Sequence, residues 1–382
     1  MSGNDMNAIT DALVAPRDER HAPPGAVFAV AEGDAVHVAA SGVADVGTGE
    51  PMTTSHAFDL ASVSKTLTTL ALRRLIHIGD LTDATTLGEV LGARSGAAAP
   101  ATIDDLLRHR SGLTEWWPLY LMPGAAEDPV AAGLRLPLRY GRAEGRHYSD
   151  IGMQALGAVI ERVSGEPLAD AVRRLVLDPL GAATVTPGAP LRAAAVAAGP
   201  DGDAIEREMV RSGVPYPVGA TGEGFAWRTH ILRGEVADGN AFHAFGGAAG
   251  HAGWFSDAAG LLTVASAFAD PVAHGFGEQS VSAFAIARDA GQGQGQGLVH
   301  IRQRWRGRER LFLGHGGFTG TFVAAAPATG DLPAVRTVLL TNRLHGRPAP
   351  TRQSLVPSDT LWREAIACAD HLLHPSTTGA PS

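Results

Sequence analysis

Residues 58 to 78 read FDLASVSKTLTTLALRRLIHI. Ser62 precedes Lys65 by three positions, a helical spacing that puts a hydroxyl and an amine on one face within mutual reach. Leu67, Leu70, Ala71, Leu75 and Ile78 form one apolar stripe, which predicts a helix over 66–78 stopped by Gly79-Asp80. Ser62 thus falls at a helix start, where free N–H groups and the positive dipole end favour a developing anion. The amine is also unusual for this chain. Of 31 basic residues, Lys65 is the only lysine and 30 are arginine. Arginine cannot release its proton inside a protein, whereas lysine can. A lone lysine beside a serine therefore suggests a nucleophile and its base.

The remaining composition narrows the setting. The chain has 382 residues, 45% hydrophobic and 18% charged, with a formal net charge of -8, which describes a soluble globular protein and excludes fibrous and disordered classes. No apolar run reaches the roughly 18 residues a membrane helix needs. The first 25 residues carry acidic side chains before any basic one and lack an apolar signal region, so a cytoplasmic protein is expected. The acidic balance offers nucleic acid no broad basic surface. Cys368, the only cysteine, cannot form an internal disulfide and is expected to be a buried apolar residue of the last helix.

Gly25–Val30 and Ala35–Ala40 are apolar runs separated by Ala31-Glu32-Gly33-Asp34, the pattern of an antiparallel hairpin. Helical periodicity follows from about 86 to 181. Thr102-Ile103-Asp104-Asp105 resembles a capping box, Ile151–Val163 is a second helix closed by Gly165, and a third runs over 167–177. Residues 182–250 read as long ordered loops, Ser256 as the cap of a helix over 257–269, and GQGQGQG at 291–297 as a flexible connector. Leu311–Leu313, Phe318–Ala326 and Val335–Thr341 read as strands with turns at 315–317 and 329–331, before a last helix over 359–373 and a polar tail. Strands at both chain ends and helices between them predict an α+β fold: one antiparallel sheet from both ends, flanked by helices, plus a helical lobe from the middle. The whole chain, 1–382, is expected to be one domain, with an α/β lobe over about 1–85 and 250–375 and a helical and loop lobe over about 86–249.

A serine and lysine pair needs a proton route to the leaving group and donors for an oxyanion. Tyr148, one of four tyrosines, opens Tyr148-Ser149-Asp150 just before a predicted helix. Gly314-His315-Gly316-Gly317-Phe318 places glycines at a strand edge, where a backbone N–H can approach a bound carbonyl oxygen.

With these elements the chain resembles the penicillin-binding-protein and serine β-lactamase superfamily, which carries an S-x-x-K, a second Ser or Tyr element and a K-T-G-like strand. The likeness is to the class C branch, whose relatives include carboxylesterases, D-amino-acid peptidases and acyltransferases. It rests on FDLASVSKTLT (58–68), TIDDLLRHRSGL (102–113), HYSDIGMQALGAVIERVSG (147–165), GHAGWFS (250–256) and LGHGGFTGTFV (313–323), in the family's order over about 25–343.

The resemblance implies a β-lactamase-like fold, Ser62 as acylated nucleophile, Lys65 as its base and Tyr148 as proton shuttle. The N–H groups of Ser62 and Phe318 would form the oxyanion hole, with Asp150, His315, Gly316, Gly317, Trp117 and His251 as substrate-side residues. No metal or cofactor is implied. Two positions depart from the pattern. Asp150 stands where the family has Asn and, ionised, cannot donate to an amide carbonyl. His315 stands where it has the K-T-G lysine, and a histidine is only partly charged near neutral pH. An ionised Asp150 touching Lys65 would also favour the protonated amine, opposite to what a base needs. The expected function is hydrolysis of an ester or amide of a small acyl substrate through acyl-Ser62. Acyl transfer from the same intermediate, β-lactam or D-amino-acid peptide cleavage, and ligand binding without turnover are the alternatives. The expected partner is a small-molecule substrate, without nucleic acid or membrane; the oligomeric state is open.

Overall fold

In a computed structural model, which describes residues 3–17, 20–188, 195–288 and 293–375, the expected hairpin is β1 (Gly25–Glu32) with β2 (Ala35–Asp45). The short strands β3 (Glu50–Pro51), β4 (Phe58–Asp59), β5 (Thr186–Pro187) and β6 (Trp254–Ser256) follow, then β7 (Val299–Trp305), β8 (Arg308–Gly316), β9 (Phe322–Ala326) and β10 (Val335–Thr341). Seven of them form one antiparallel sheet in the order β3-β2-β1-β10-β9-β8-β7, and β4-β6-β5 form a small second sheet. The first and last long strands are neighbours, with Phe28 opposite Leu339.

Strand alternation explains why β1 is apolar throughout. Ala26, Phe28 and Val30 face a core shared with Phe312, Phe322 and Trp362, covered by the helices Gly3–Val14 and Ser358–Leu373. Val27, Ala29 and Ala31 face the other way, onto Leu67, Leu70, Leu261 and Val264 of the helices Lys65–His77 and Ala258–Ala269. Both faces are therefore buried, and truncating Phe28 to alanine would cost about 3–5 kcal/mol. The Asp150–Ser164 helix packs against the Lys65–His77 helix from the middle of the chain.

Several local expectations change. β7 carries Arg302 and Arg304 on its solvent side, and these arginines on an edge strand mask the alternation that buries Ile301 and Trp305. β8 runs on to Gly316, so His315 is a strand residue and Phe318 belongs to the turn before β9. Asp257, not Ser256, caps the 258–269 helix, its carboxylate accepting from Gly260 N at 2.9 Å. Of the glycine and glutamine repeat, 293–297 is anchored rather than loose: buried Gln296 donates to Asp83 and Asp104 and accepts from Arg73. Cys368 is exposed. Residues 189–194, 291–292 and the tail 376–382 lie outside the described residues. Among the described residues no helix is long and apolar enough to cross a membrane.

Candidate active site

The segment before Ser62 is tightly fixed. Asp59 leaves β4 and accepts from Ala61 N at 2.8 Å and from Ala237 N at 2.6 Å. Ala61 takes φ 45°, a left-handed conformation that costs a non-glycine residue roughly 1–2 kcal/mol. A single 3₁₀ turn over Ala61–Ser64 follows, and the α-helix starts at Lys65. In a 3₁₀ turn residues i and i+3 eclipse, so Lys65 points back along Ser62. Lys65 Nζ donates to Ser62 Oγ at 2.9 Å and to His251 O at 3.0 Å, and forms an ion pair with Asp150 Oδ1 at 2.8 Å.

That surrounding decides the state of the amine. Lys65 is 1% exposed, and burial alone would push its pKa down. The Asp150 carboxylate and the Tyr148 phenol outweigh burial and hold the amine above its usual range. The resting amine is therefore charged, the state expected for a lysine touching an ionised Asp150. Tyr148 is raised too, by burial first, with Lys65 opposing and Asp150 adding to the effect, so the phenol keeps its proton at neutral pH. It interacts with both Ser62 and Lys65, whose Nζ is 4.9 Å from the ring centroid.

The Tyr148-Ser149-Asp150 segment is set by the 102–115 block. Ser149 N donates to His109 Nδ1 at 3.2 Å, Ser149 Oγ donates to Thr114 O and caps the next helix through Gly152 N, and Asp150 N donates to Glu115 O. His109 also packs on Tyr148, ring centroids 4.5 Å apart. His109 is buried, and burial holds it well below the usual histidine pKa.

Opposite Ser62, the 317–321 turn is stitched to the nucleophile strand. Thr319 Oγ1 donates to Asp59 O at 2.7 Å and Thr321 Oγ1 to Leu60 O at 2.9 Å. A Cβ at Gly317 would fall 2.5 Å from Leu60 O, so only glycine permits this approach. Arg343, which sequence reading missed, donates twice to Phe318 O, at 2.9 and 2.7 Å, and once to Val356 O. Among the described residues neither Ser62 N nor Phe318 N donates to a backbone carbonyl, which leaves both free for a substrate oxygen.

Other expected residues sort differently. His315 lines the cleft with Gly316 and Gly317, its Nδ1 paired with Gly316 O at 2.8 Å; burial, helped by charged Lys65, brings its pKa down to about 3. It is neutral rather than partly charged. His251 does not line the cleft: its carbonyl holds Lys65 and its ring meets Asp238 at 2.9 Å. Trp116, not Trp117, is the cleft tryptophan; Trp117 packs on the main core and its carbonyl accepts from Asn240.

Two arms of the cleft meet at Ser62 and Phe318. The first, of about 830 Å³ including open solvent, is lined by Trp116, Ile205, Met209 and Tyr216 with Asp238 and Glu206. Burial and Asp238 push Glu206 up to about 8 while Tyr120 donates to it at 2.7 Å; Asp238, despite its burial, is brought down to about 2 chiefly by His251. The second arm is lined by Tyr148, Arg146, His300 and His315. Asp238, Glu206 and Arg146 carry no sequence motif, and only the folded chain brings them to Ser62.

A family model described as Beta-lactamase matches residues 10–356, and the chain belongs to that family. It is similar to esterase EstB of Burkholderia gladioli, 36% identical over 182 residues (41% of this chain, 45% of EstB), and to penicillin-binding protein 4 of Amycolatopsis lactamdurans, 31% identical over 173 residues (43% and 45%). The matched stretches thus span under half the length of these curated relatives. Among solved structures, a class C β-lactamase from Rhodobacter sphaeroides matches with TM-score 0.68 at 18% identity, covering 97% of this chain and 99% of that one. This shows the fold.

Proposed function

We propose that the protein is a serine hydrolase that cleaves an ester or amide of a small acyl substrate through an acyl-Ser62 intermediate. The carrying observation is the placement of Lys65 Nζ between Ser62 Oγ and Asp150 Oδ1, at 2.9 and 2.8 Å. A charged lysine cannot itself accept a proton, but it can pass one on. As Ser62 Oγ attacks the carbonyl carbon, its proton moves to Lys65 while Lys65 gives one of its own to Asp150. The amine stays charged throughout, and the net acceptor is the carboxylate. The N–H groups of Ser62 and Phe318 receive the oxyanion. When the intermediate collapses, the bond from carbon to leaving atom breaks and that atom takes the Tyr148 proton. Tyr148 is refilled from Lys65, and Lys65 recovers its proton from Asp150. Water then enters on the Tyr148 side and repeats the sequence, releasing the acid and restoring Ser62.

The role of Asp150 follows from its departure from the family's Asn. A carboxylate is a proton acceptor where an amide is not. Tyr148 lines only the second arm, so that arm takes the leaving group and the first takes the acyl group. Short-chain p-nitrophenyl esters test the reading: a burst of p-nitrophenol and an acyl adduct in the intact mass are expected, and both disappear in Ser62→Ala. Equal turnover by that variant overturns it.

A further inference from the structure

Arg146 lies in the leaving-group arm, two residues before Tyr148, with its Cζ 5.7 Å from the Tyr148 ring centroid. Its one hydrogen bond among the described residues is from Nε to Gln294 Oε1 at 3.1 Å. Among those residues no carboxylate pairs with it and neither terminal nitrogen has a partner. A half-buried guanidinium left this way is costly unless something arrives to meet it, because desolvation without a counter-charge is unfavourable.

The other cations of the arm are occupied or absent. Arg343 donates all three of its nitrogens to the carbonyls of Phe318 and Val356. Arg363 is exposed and donates to Arg302 O. His315, at the family's lysine position, carries no charge at neutral pH. Asp359 also borders this arm, beside Arg343. The acyl arm, by contrast, is walled by the charged carboxylate of Asp238, which repels an anion, and exposed Arg352 is also among its lining residues. A half-buried positive charge with free donors is therefore found on the Tyr148 side of Ser62, at Arg146, whereas Arg352 of the other arm is exposed to solvent.

Resting on the Ser62 reading above, we infer that Arg146 is an anion anchor for the leaving group, and that the substrates are esters or amides whose departing part carries a carboxylate. A guanidinium offers that carboxylate two parallel N–H donors in one plane, a geometry that a strand lysine lacks. The guanidinium carbon lies 5.7 Å from the centroid of the Tyr148 ring, so a short spacer such as one aromatic ring is inferred between the carboxylate and the scissile bond.

The test compares 3-acetoxybenzoate with its methyl ester, two substrates that share the acetyl group and differ in the charge of the departing phenol. The readout is the ratio of their kcat/KM values in wild type, Arg146→Gln and Arg146→Lys. The ratio is expected to fall about tenfold or more in Arg146→Gln, on the order of the loss when one partner of a desolvated ion pair is removed, and to recover in part in Arg146→Lys. Calorimetric binding of 3-hydroxybenzoate reads the same contact without turnover, and its Kd is expected to weaken by a similar factor in Arg146→Gln. A wild type that cleaves neither ester yet binds hydroxybenzoate through Arg146 overturns the Ser62 reading and leaves the anchor standing. An unchanged ratio, or hydroxybenzoate that binds both proteins equally or neither, overturns the anchor.

Discussion

Lys65 and Asp150 come from different helices, yet their charged atoms meet at 2.8 Å because the Lys65–His77 and Asp150–Ser164 helices pack on each other and Ser149 fixes the start of the second. The pair sits beside the nucleophile with the amine 1% exposed. Breaking a buried pair leaves one uncompensated charge, which is more damaging than the pair itself is stabilising. Its purpose is therefore better sought in proton movement than in stability.

Asp150→Asn removes the proton acceptor and the field that holds Lys65 charged. The lysine pKa, raised in the wild type, falls toward its usual range, so the variant regains a base only as pH rises. Activity on a neutral ester at pH 7 is expected to drop about 10- to 100-fold and then climb with pH more steeply than wild type. A pH profile of kcat/KM checks this, and a variant with wild-type rate and profile at pH 7 refutes the relay.

Lys65→Arg keeps the charge opposite Asp150 but cannot hand a proton on. Acylation of Ser62, followed by intact mass after a fluorophosphonate probe, should slow by about a thousandfold, within the range of general acid–base effects. Near-normal labelling would show that the lone lysine needs only its charge.

His109 and His315 are both depressed by burial, His315 to about 3, so the folded protein keeps them neutral while the unfolded chain protonates them below about 6.5. The unfolded state then binds more protons, and the stability these groups contribute is complete above pH 6.5 and lost as pH falls, for His315 toward 3. His315 adds a slope of up to about 1.4 kcal/mol per pH unit in that window, and His109 acts in the same direction. Urea melts between pH 7 and 4.5 should show this loss, and an NMR titration of the His315 ring with a midpoint near 6.5 would contradict its cause.

Gly317→Ala forces a Cβ to 2.5 Å from Leu60 O and 2.1 Å from Thr321 Oγ1. The turn must lift from the nucleophile strand, withdrawing the Phe318 N–H. Loss of one oxyanion donor lowers kcat by about 100-fold or more, with KM changed little. A fall in KM-linked binding alone would place the effect elsewhere.

The architecture was legible where one face of the chain is apolar at a regular period: the hairpin of β1 and β2, the 65–77 and 150–164 helices, and β9 and β10. The contact of Ser62 with Lys65 was legible because it is local, three residues apart. β7 was hidden by the arginines of an edge strand, and His315 was misplaced because glycines at a strand end look like a turn. Its neutrality, like the charge on Lys65, depends on burial that no spacing reveals. Arg343, Glu206 and Asp238 were invisible for a different reason: each meets partners distant in sequence, joined only by the packed fold.

The adjacency of β1 and β10 has a kinetic meaning. Thr341 pairs with Ala26 across more than three hundred residues, and such non-local pairing is slow to form. During synthesis Ser62 and Lys65 emerge more than two hundred residues before the Phe318 turn and the Arg343 that braces it. Until Thr319 and Thr321 dock on Asp59 and Leu60, the segment before Ser62 is unbraced, so the site is assembled only with completion of the sheet.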